Sequence, residues 1–452
     1  MSTISPAPAP PPPSLTFNPH TLTELVVPSK DFDSVRVHAI SDIHVDYRKN
    51  LELFKRWCSS SSSGSCISGT AGDAGFAPTS LHQEKEERVF SILIIPGDIA
   101  SSPSNVRAAL AAARRRFHAT FIVAGNHDLW VSSALAEEGV VDSIDKLTWL
   151  HQLAATEAED DSEDGDGDEE KKSSSSSSSS SCINRRGKIY TGPVLLQLPR
   201  SSPDPSLPLS FLLLVPLLSW YHPSWDTEPD LPTEVLAELY DGRPAFEQRW
   251  ADFRFCKWPE EVVERKEGGR QEWGSITTKD KGIAEWFAEQ NEGFLKDTRV
   301  RLETREGGNE GRAKKKVVVI SFSHFLPREE LCPEKRFLIE PLLPKVIGSQ
   351  PLREQVERLK PDLHLFGHTH IPVDMEVGGI RYLQWPLGSV GEQGRQTGEM
   401  SVKGPVVVFD SKGGGGVQGE VPTRWGAHYK EEGRDVLNTE LAPWVKMYWS
   451  QR

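Results

Sequence analysis

The chain has 452 residues, 37% of them apolar and 26% charged, with a formal net charge of −13. That length leaves room for two or three average domains. No basic patch interleaved with aromatics is present to read nucleic acid, and no apolar run approaches the 18 or so residues of a membrane span, so a soluble protein is expected.

Much of the length is poor core material. Residues 5–13 are mostly Pro and Ala, Ser59 to Ser63 and Ser173 to Ser181 are serine runs, and Gly413 to Gly416 is a glycine run. Such stretches bury too little apolar surface to offset backbone entropy, and disorder is expected there. Ten acidic residues and no basic one lie between Glu157 and Glu170. This block holds most of the negative excess, and beside polyserine it reads as a solvated spacer, with docking or phosphorylation as the alternative. Five cysteines without a CxxC pair read as free thiols in a reducing compartment. The first 30 residues lack both arginine and an apolar core segment. That argues against a secretory signal and for a cytoplasmic location, with organelle import as the alternative.

In chain order, Ser34 to Ser41 is the first predicted core strand, ending at Asp42 and His44. Alternation along extended backbone would turn both side chains to one face. Ser91 to Pro96 is the second strand, ending at Asp98; Asn105 to Phe117 is rich in helix formers; Ala119 to Ala124 is strand-like and runs into Gly125, Asn126, His127 and Asp128. This is a βαβ unit with polar groups at its strand ends, where open α/β sheets bind ligands. Ser132 to Leu153 reads as one helix, and short strands follow at Ile189 to Tyr190, Val194 to Leu198 and Leu209 to Leu218. Trp220, Tyr221 and His222, after the last of these, and Trp130 are read either as pocket wall or as core. Residues 226–281 suggest a cap over one end of the sheet. Gly282 to Leu295 is a further predicted helix and Glu303 to Lys316 a charged loop. Val317 to Ile320 leads to His324, Leu352 to Leu359 is helical, and Leu363 to Phe366 leads to Gly367, His368, Thr369 and His370. Gly379 to Gln384 and Val406 to Phe409 are expected to complete a second sheet. His118 and His364 are read as structural.

Five apolar strands thus end in metal-capable side chains, in the order Asp-x-His, Gly-Asp, Gly-Asn-His-Asp, His and Gly-His-x-His. This series resembles the calcineurin-like metallophosphoesterase superfamily, from about residue 35 to about residue 410. Longer phrases, including Ser219 to His222, Asp252 to Glu260 and Phe322 to Arg336, are similar to a branch associated with plants and algae. The resemblance implies a four-layer α/β sandwich, two mixed sheets flanked by helices. The expected domain covers 34–410, with insertions at 58–88, 156–186, 226–281 and 301–316, after a disordered Pro-rich tail over 1–33 and before a C-terminal tail over 411–452.

The resemblance also implies two divalent ions. Asp42, His44, Asp98 and His370 would hold the first, and Asp98, Asn126, His324 and His368 the second, with Asp98 as the bridge. Mixed imidazole, carboxylate and amide donors suit Mn, Fe, Zn or Ni better than Ca. The implied activity is hydrolysis of a phosphomonoester or phosphodiester by a hydroxide shared between the ions. His127 would serve as general acid, with Asp128 orienting its imidazole and favouring its protonated form, and Gly125 and Gly367 would permit tight backbone turns beside the ions. Protein serine/threonine phosphatases of the superfamily carry Asp-Arg-Gly after the bridging Asp and Glu after the catalytic His. Here Asp98 is followed by Ile99, Ala100 and Ser101, and His127 by Asp128. A small-molecule phosphate ester is therefore the expected substrate, and a catalytically inactive scaffold of the same fold is the alternative.

Overall fold

The computed structural model describes residues 22–59, 87–156, 187–200, 209–259, 262, 282–306, 316–393, 404–412 and 416–451. Runs such as Ser91 to Pro96 show no polar alternation, which suits strands covered on both faces, and all six of those residues are buried. Two sheets result. Strands β1 (Thr23–Val26), β6 (Val194–Gln197), β7 (Ser210–Pro216), β8 (Lys316–Phe322), β9 (Leu363–Phe366), β11 (Ile380–Gln384) and β10 (Val373–Val377) are neighbours in that order in a seven-stranded sheet. Strands β13 (Gly416–Val417), β12 (Val406–Asp410), β2 (Ser34–Ala39), β3 (Val89–Pro96), β4 (Ala119–Val123) and β5 (Lys188–Tyr190) form a six-stranded one.

Both sheets are mixed. The central pairs β2–β3, β3–β4, β7–β8 and β8–β9 are parallel, whereas β12 runs antiparallel to β2 and β10 antiparallel to β11. Helices α1 (Arg48–Ser59), α2 (Pro103–Arg116) and α3 (Ser143–Ala155) flank the smaller sheet; the short helices α4 (Thr233–Tyr240), α5 (Phe246–Arg249) and α6 (Asp252–Phe255) follow in the chain, and α7 (Ile283–Glu306) and α8 (Gln350–Leu359) pack together beside the larger sheet. This is the four-layer α/β sandwich expected. Between the sheets, Phe121 of β4 meets Phe322 of β8 edge to face, with ring centroids 6.4 Å apart. Burying such a ring contributes about 1.5–3 kcal/mol. At one end the sheets are joined directly, because Ser41 bridges to Pro386 and its N–H donates to the Trp385 carbonyl at 3.0 Å. The parallel strands β2, β3, β4, β8 and β9 present their carboxyl ends at this junction.

Several elements depart from the sequence expectations. Thr23–Val26 pairs in parallel with β6 as an edge strand, so the stretch to residue 33 is not all tail. The single helix expected over Ser132 to Leu153 is two pieces, a 3-10 segment Ser133–Glu138 and then α3. Gly139 ends the first at φ +80° by donating to Ala136 and Leu135, and a reciprocal capping box between Asp142 and Asp145 starts the second. Helix α7 continues to Glu306, through the start of the expected charged loop. The two strands expected to share a second sheet lie in different ones, β11 in the larger and β12 in the smaller. The C-terminal stretch folds back through α9 (Arg424–Glu431) and α10 (Pro443–Ser450), where Trp444 stacks on Phe337 with centroids 5.5 Å apart. Cys58, Cys256 and Cys332 are buried free thiols. Cys66, Cys182, the acidic block and the polyserine run lie outside the described residues.

His364 is fully buried, held at Nδ1 by Ser321 (2.8 Å) and at Nε2 by Ser323 (3.0 Å). Burial pushes its pKa down to about 3. The unfolded chain therefore binds the proton more readily, so the stability this site contributes is complete above pH ~6.5 and declines as pH falls toward 3. A His364→Asn variant should show a smaller loss of thermal stability than the wild type between pH 7 and 4. Parallel unfolding curves for the two proteins across that range would disprove it.

Candidate metal centre

The strand ends bring together seven polar side chains from both sheets. Asp42, His44, Asp98 and His370 each offer a ligand atom, and these four atoms lie within 4.8 Å of one another. The His44 and His370 Nε2 atoms are 2.8 Å apart, and His44 Nε2 stands 3.5 Å from Asp98 Oδ2. A second convergence adjoins the first on the other oxygen of Asp98. His324 Nε2 is 3.5 Å from Asp98 Oδ1, 2.9 Å from Asn126 Oδ1 and 3.2 Å from His368 Nδ1, while His368 Nδ1 is 3.0 Å from Asn126 Oδ1.

The outer nitrogens of three of these rings are occupied, which fixes where their lone pairs point. His324 Nδ1 donates to the Pro96 carbonyl at 3.0 Å, His368 Nε2 to the Val346 carbonyl at 3.0 Å, and His370 Nδ1 to Glu392 Oε2 at 2.8 Å. In neutral rings the remaining nitrogens are acceptors aimed at carboxylate and amide oxygens, which are also acceptors. A cation between them satisfies such a set, and outer-nitrogen partners of this kind are usual for metal-binding histidines.

Backbone conformation singles out the same residues. Among the described residues, six other than glycine have positive φ, and five of them are Asp42 (51°), His44 (39°), Asp98 (54°), His368 (76°) and His370 (56°). Each such conformation costs on the order of 1–3 kcal/mol, and their clustering marks a functional site. It also corrects the expected route to convergence, because Asp42 and His44 meet through left-handed turns rather than by alternation along extended strand.

Electrostatics points the same way. Burial pushes the Asp98 carboxyl well above its usual range, and the Asp128 and Asp42 charges add to the effect. Burial pushes His44 well below an ordinary imidazole, reinforced by the His370 and His127 rings, and lowers His324 to about 4. Only His370 is raised. Burial opposes its charge, but the Glu392 hydrogen bond and the Asp42 charge outweigh it, and Glu392 itself is held at about 2. Divalent cations favour the ionised carboxylates and the neutral imidazoles together. The donor set therefore fits bound metal.

His127 lies at the edge of this cluster, with its side chain 27% exposed and Nε2 3.9 Å from Asp98 Oδ2. Its ring stacks on Trp130 at a centroid distance of 3.7 Å, and Phe255, 41% exposed, lies 5.0 Å beyond Trp130. Burial lowers His127 to about 3. Asp128 does not take up the expected role of orienting that ring. Its Oδ1 accepts the N–H groups of Ile99 (3.0 Å) and Ala100 (3.1 Å), and its Oδ2 accepts that of Gly125 (2.9 Å), so it clamps the loops after β3 and β4 to each other. The buried Lys146 of α3 holds the next turn by donating to Ser101 (3.0 Å) and Trp130 (2.5 Å) carbonyls. Trp220 and Tyr221 belong to the core, in an aromatic cluster with Phe325, and Trp258 packs edge-on against Trp220. His222 caps the short turn Pro223–Trp225.

Gly125 and Gly367 are required for space rather than for turning, since neither has positive φ. A Cβ on Gly125 would fall 2.2 Å from Asp98 Oδ1 and 2.5 Å from the Asp98 backbone nitrogen. Gly125→Ala should force β3 and β4 apart at their ends, lower stability by roughly 1–3 kcal/mol and weaken metal uptake. Chemical denaturation together with metal titration checks both, and a variant matching the wild type in each would refute the packing argument.

Asp252 and Glu392 carry no metal-motif signature and escape sequence reading. Asp252, within a short helix Asp252–Phe255, accepts from Asn126 Nδ2 (2.9 Å), Trp130 Nε1 (2.7 Å) and Trp250 Nε1 (2.9 Å), and the Tyr221 hydroxyl also bonds to it. A carboxylate flanked by tryptophans two positions before and six after is the one signal the sequence offered.

A scan of the sequence against protein-family models gives no match, and a comparison with curated proteins gives none either. Among solved structures, the crystal structure of phosphopantetheinyl hydrolase (PptH) from Mycobacterium tuberculosis is similar. The identity is 16% and the TM-score 0.43, over 83% of this chain and 96% of that one.

Proposed function

We propose that this chain is a metal-dependent phosphoric ester hydrolase acting on a small-molecule phosphomonoester or phosphodiester. The observation that carries the reading is the pair of acceptor sets that meet on the two oxygens of Asp98, with the outer histidine nitrogens tied away from the centre. Asp42, His44, Asp98 and His370 would hold one divalent ion, and Asp98, Asn126, His324 and His368 the other. Bound there, a pair of divalent cations neutralises phosphoryl charge and lowers the pKa of water from 15.7 toward ~7.

The chain's own residues supply the rest. Asp98 spans the two sets while the His127 backbone N–H, at 2.9 Å, holds its Oδ1 in place. His127 Nε2 stands on the exposed side of the centre, where the negative charge of a bound phosphate ester would oppose the effect of burial and favour the protonated ring, from which the leaving oxygen takes its proton. Trp130 supports the flat face of the ring. The site has Asp128 where protein phosphatases of the superfamily have Glu, and this departure favours small esters over phosphoproteins.

Elemental analysis of purified protein should find about two ions per chain, of the Mn, Fe, Zn or Ni class. Turnover of an aryl phosphomonoester or an aryl phosphodiester should depend on added metal, and the preferred ester assigns the substrate class. Protein that binds no ion and turns over neither ester after Mn, Fe or Zn supplementation would instead be a scaffold.

A further inference from the structure

Asn126 presents a choice between two orientations. Its amide has an oxygen and an NH2 on opposite sides, and one side faces His324 Nε2 and His368 Nδ1 at 2.9 and 3.0 Å. Both of those nitrogens are lone-pair acceptors, because the other nitrogen of each ring donates to a backbone carbonyl. Left to itself, the amide would turn its NH2 toward the two lone pairs and present no ligand oxygen. The orientation in the structure is the opposite one, with Oδ1 toward the histidines and Nδ2 donating to Asp252 Oδ1 at 2.9 Å. Asp252 is 2% exposed and takes N–H groups from Trp130 and Trp250 as well, so its oxygens act as acceptors and have no rival use.

We propose that Asp252 is the positioning residue of the second metal site: by accepting from Asn126 Nδ2 it selects the amide orientation that aims Oδ1 at the ion. The inference rests on the two-ion reading given above. The same carboxylate fixes Trp130 through its indole N–H, and Trp130 is the platform for His127. One buried side chain, from the segment expected to form a cap, thereby sets both a ligand and the face of the proton donor. Asp252 is not among the side chains that would hold either ion, so its effect is read first in metal binding.

The test is titration of metal-stripped full-length protein with manganese(II), followed by calorimetry and by elemental analysis after desalting. Asp252→Ala should keep the first ion at wild-type affinity and bind the second roughly 10- to 100-fold more weakly, the usual cost of losing an outer partner. The Asp252→Asn, Trp250→Phe double variant retains an oxygen that can face Asn126 and removes the indole donor that an amide would oppose. It should bind the second ion within about threefold of wild type, a rescue that a charge-based role does not allow. A folded Asp252→Ala protein that takes up both ions as tightly as a two-ion wild type overturns the proposal alone, and so does a folded double variant without rescue. A wild type that takes up no second ion overturns the two-ion reading as well. Should Asp252→Ala not fold, wild-type protein labelled with 15N-asparagine provides the measurement. The Asn126 side-chain amide protons should exchange slowly with solvent in both metal-free and manganese-free zinc-loaded protein, and rapid exchange in both states overturns the proposal.

Discussion

Asp98→Asn should strip the protein of both ions and of all metal-dependent turnover, while leaving the metal-free fold at least as stable as the wild type. The two effects have one origin. Asp98 is the side chain common to both acceptor sets, with one oxygen 3.5 Å from His44 Nε2 and the other 3.5 Å from His324 Nε2. An amide offers a single neutral oxygen and turns an NH2 toward whichever ion it does not serve. Bound metal stabilises the charge of a phosphoryl transition state by several kcal/mol, and at about 1.36 kcal/mol per factor of ten the loss in turnover should exceed roughly 10³-fold. Without metal, however, Asp98 is a buried carboxylate beside Asp42 and Asp128, all three nearly without exposure. Removing its charge relieves like-charge repulsion there. Unfolding followed in a chelator should therefore show an unchanged or raised midpoint, and elemental analysis should show no ions. Retention of both ions refutes the bridge. A large fall in the metal-free midpoint would mean instead that Asp98 is chiefly structural.

How much of this centre was legible in the sequence depends on the range of each interaction. Asp42, His44, Asp98, Asn126, His324, His368 and His370 each lie within four residues of an apolar strand, so the ligand and the element that delivers it form one local pattern. The outer partners are of a different kind. Pro96 meets His324 across 228 positions, and Asn126 meets Asp252 across 126. A backbone carbonyl gives no sequence signal at all. Asp128 shows the same limit from the other side. Its adjacency to His127 suggested a pairing of side chains, yet the tight turn His127–Leu129 directs its carboxylate at three backbone N–H groups instead. The fold follows the same division. The strands with continuous apolar runs were readable, whereas β1 follows a Pro-rich stretch and gains its place only by pairing with β6.

His127→Ala should leave both ions in place and slow turnover in proportion to the basicity of the leaving group. The imidazole is not among the four atoms of the first set, and its Nε2 is 3.9 Å from the nearest Asp98 oxygen, farther than His44 Nε2 and His324 Nε2, each at 3.5 Å. What Asp98 needs from this residue is the backbone N–H, which alanine retains. Metal content should therefore be unchanged. The chemical demand falls on the proton. An alkoxide leaving group requires one in the transition state, and a positioned side chain supplying it contributes roughly 10²- to 10⁴-fold; a nitrophenolate leaves without one. Turnover of an alkyl phosphate should thus collapse while that of a nitrophenyl ester falls far less, so that a plot of rate against leaving-group pKa steepens in the variant. Equal loss for every leaving group would assign His127 to substrate binding, and loss of an ion would place it among the ligands. The Trp130 stack gives an independent check, since Trp130→Ala removes the platform but not the proton and should cost part of the same leaving-group-dependent rate without changing its sign.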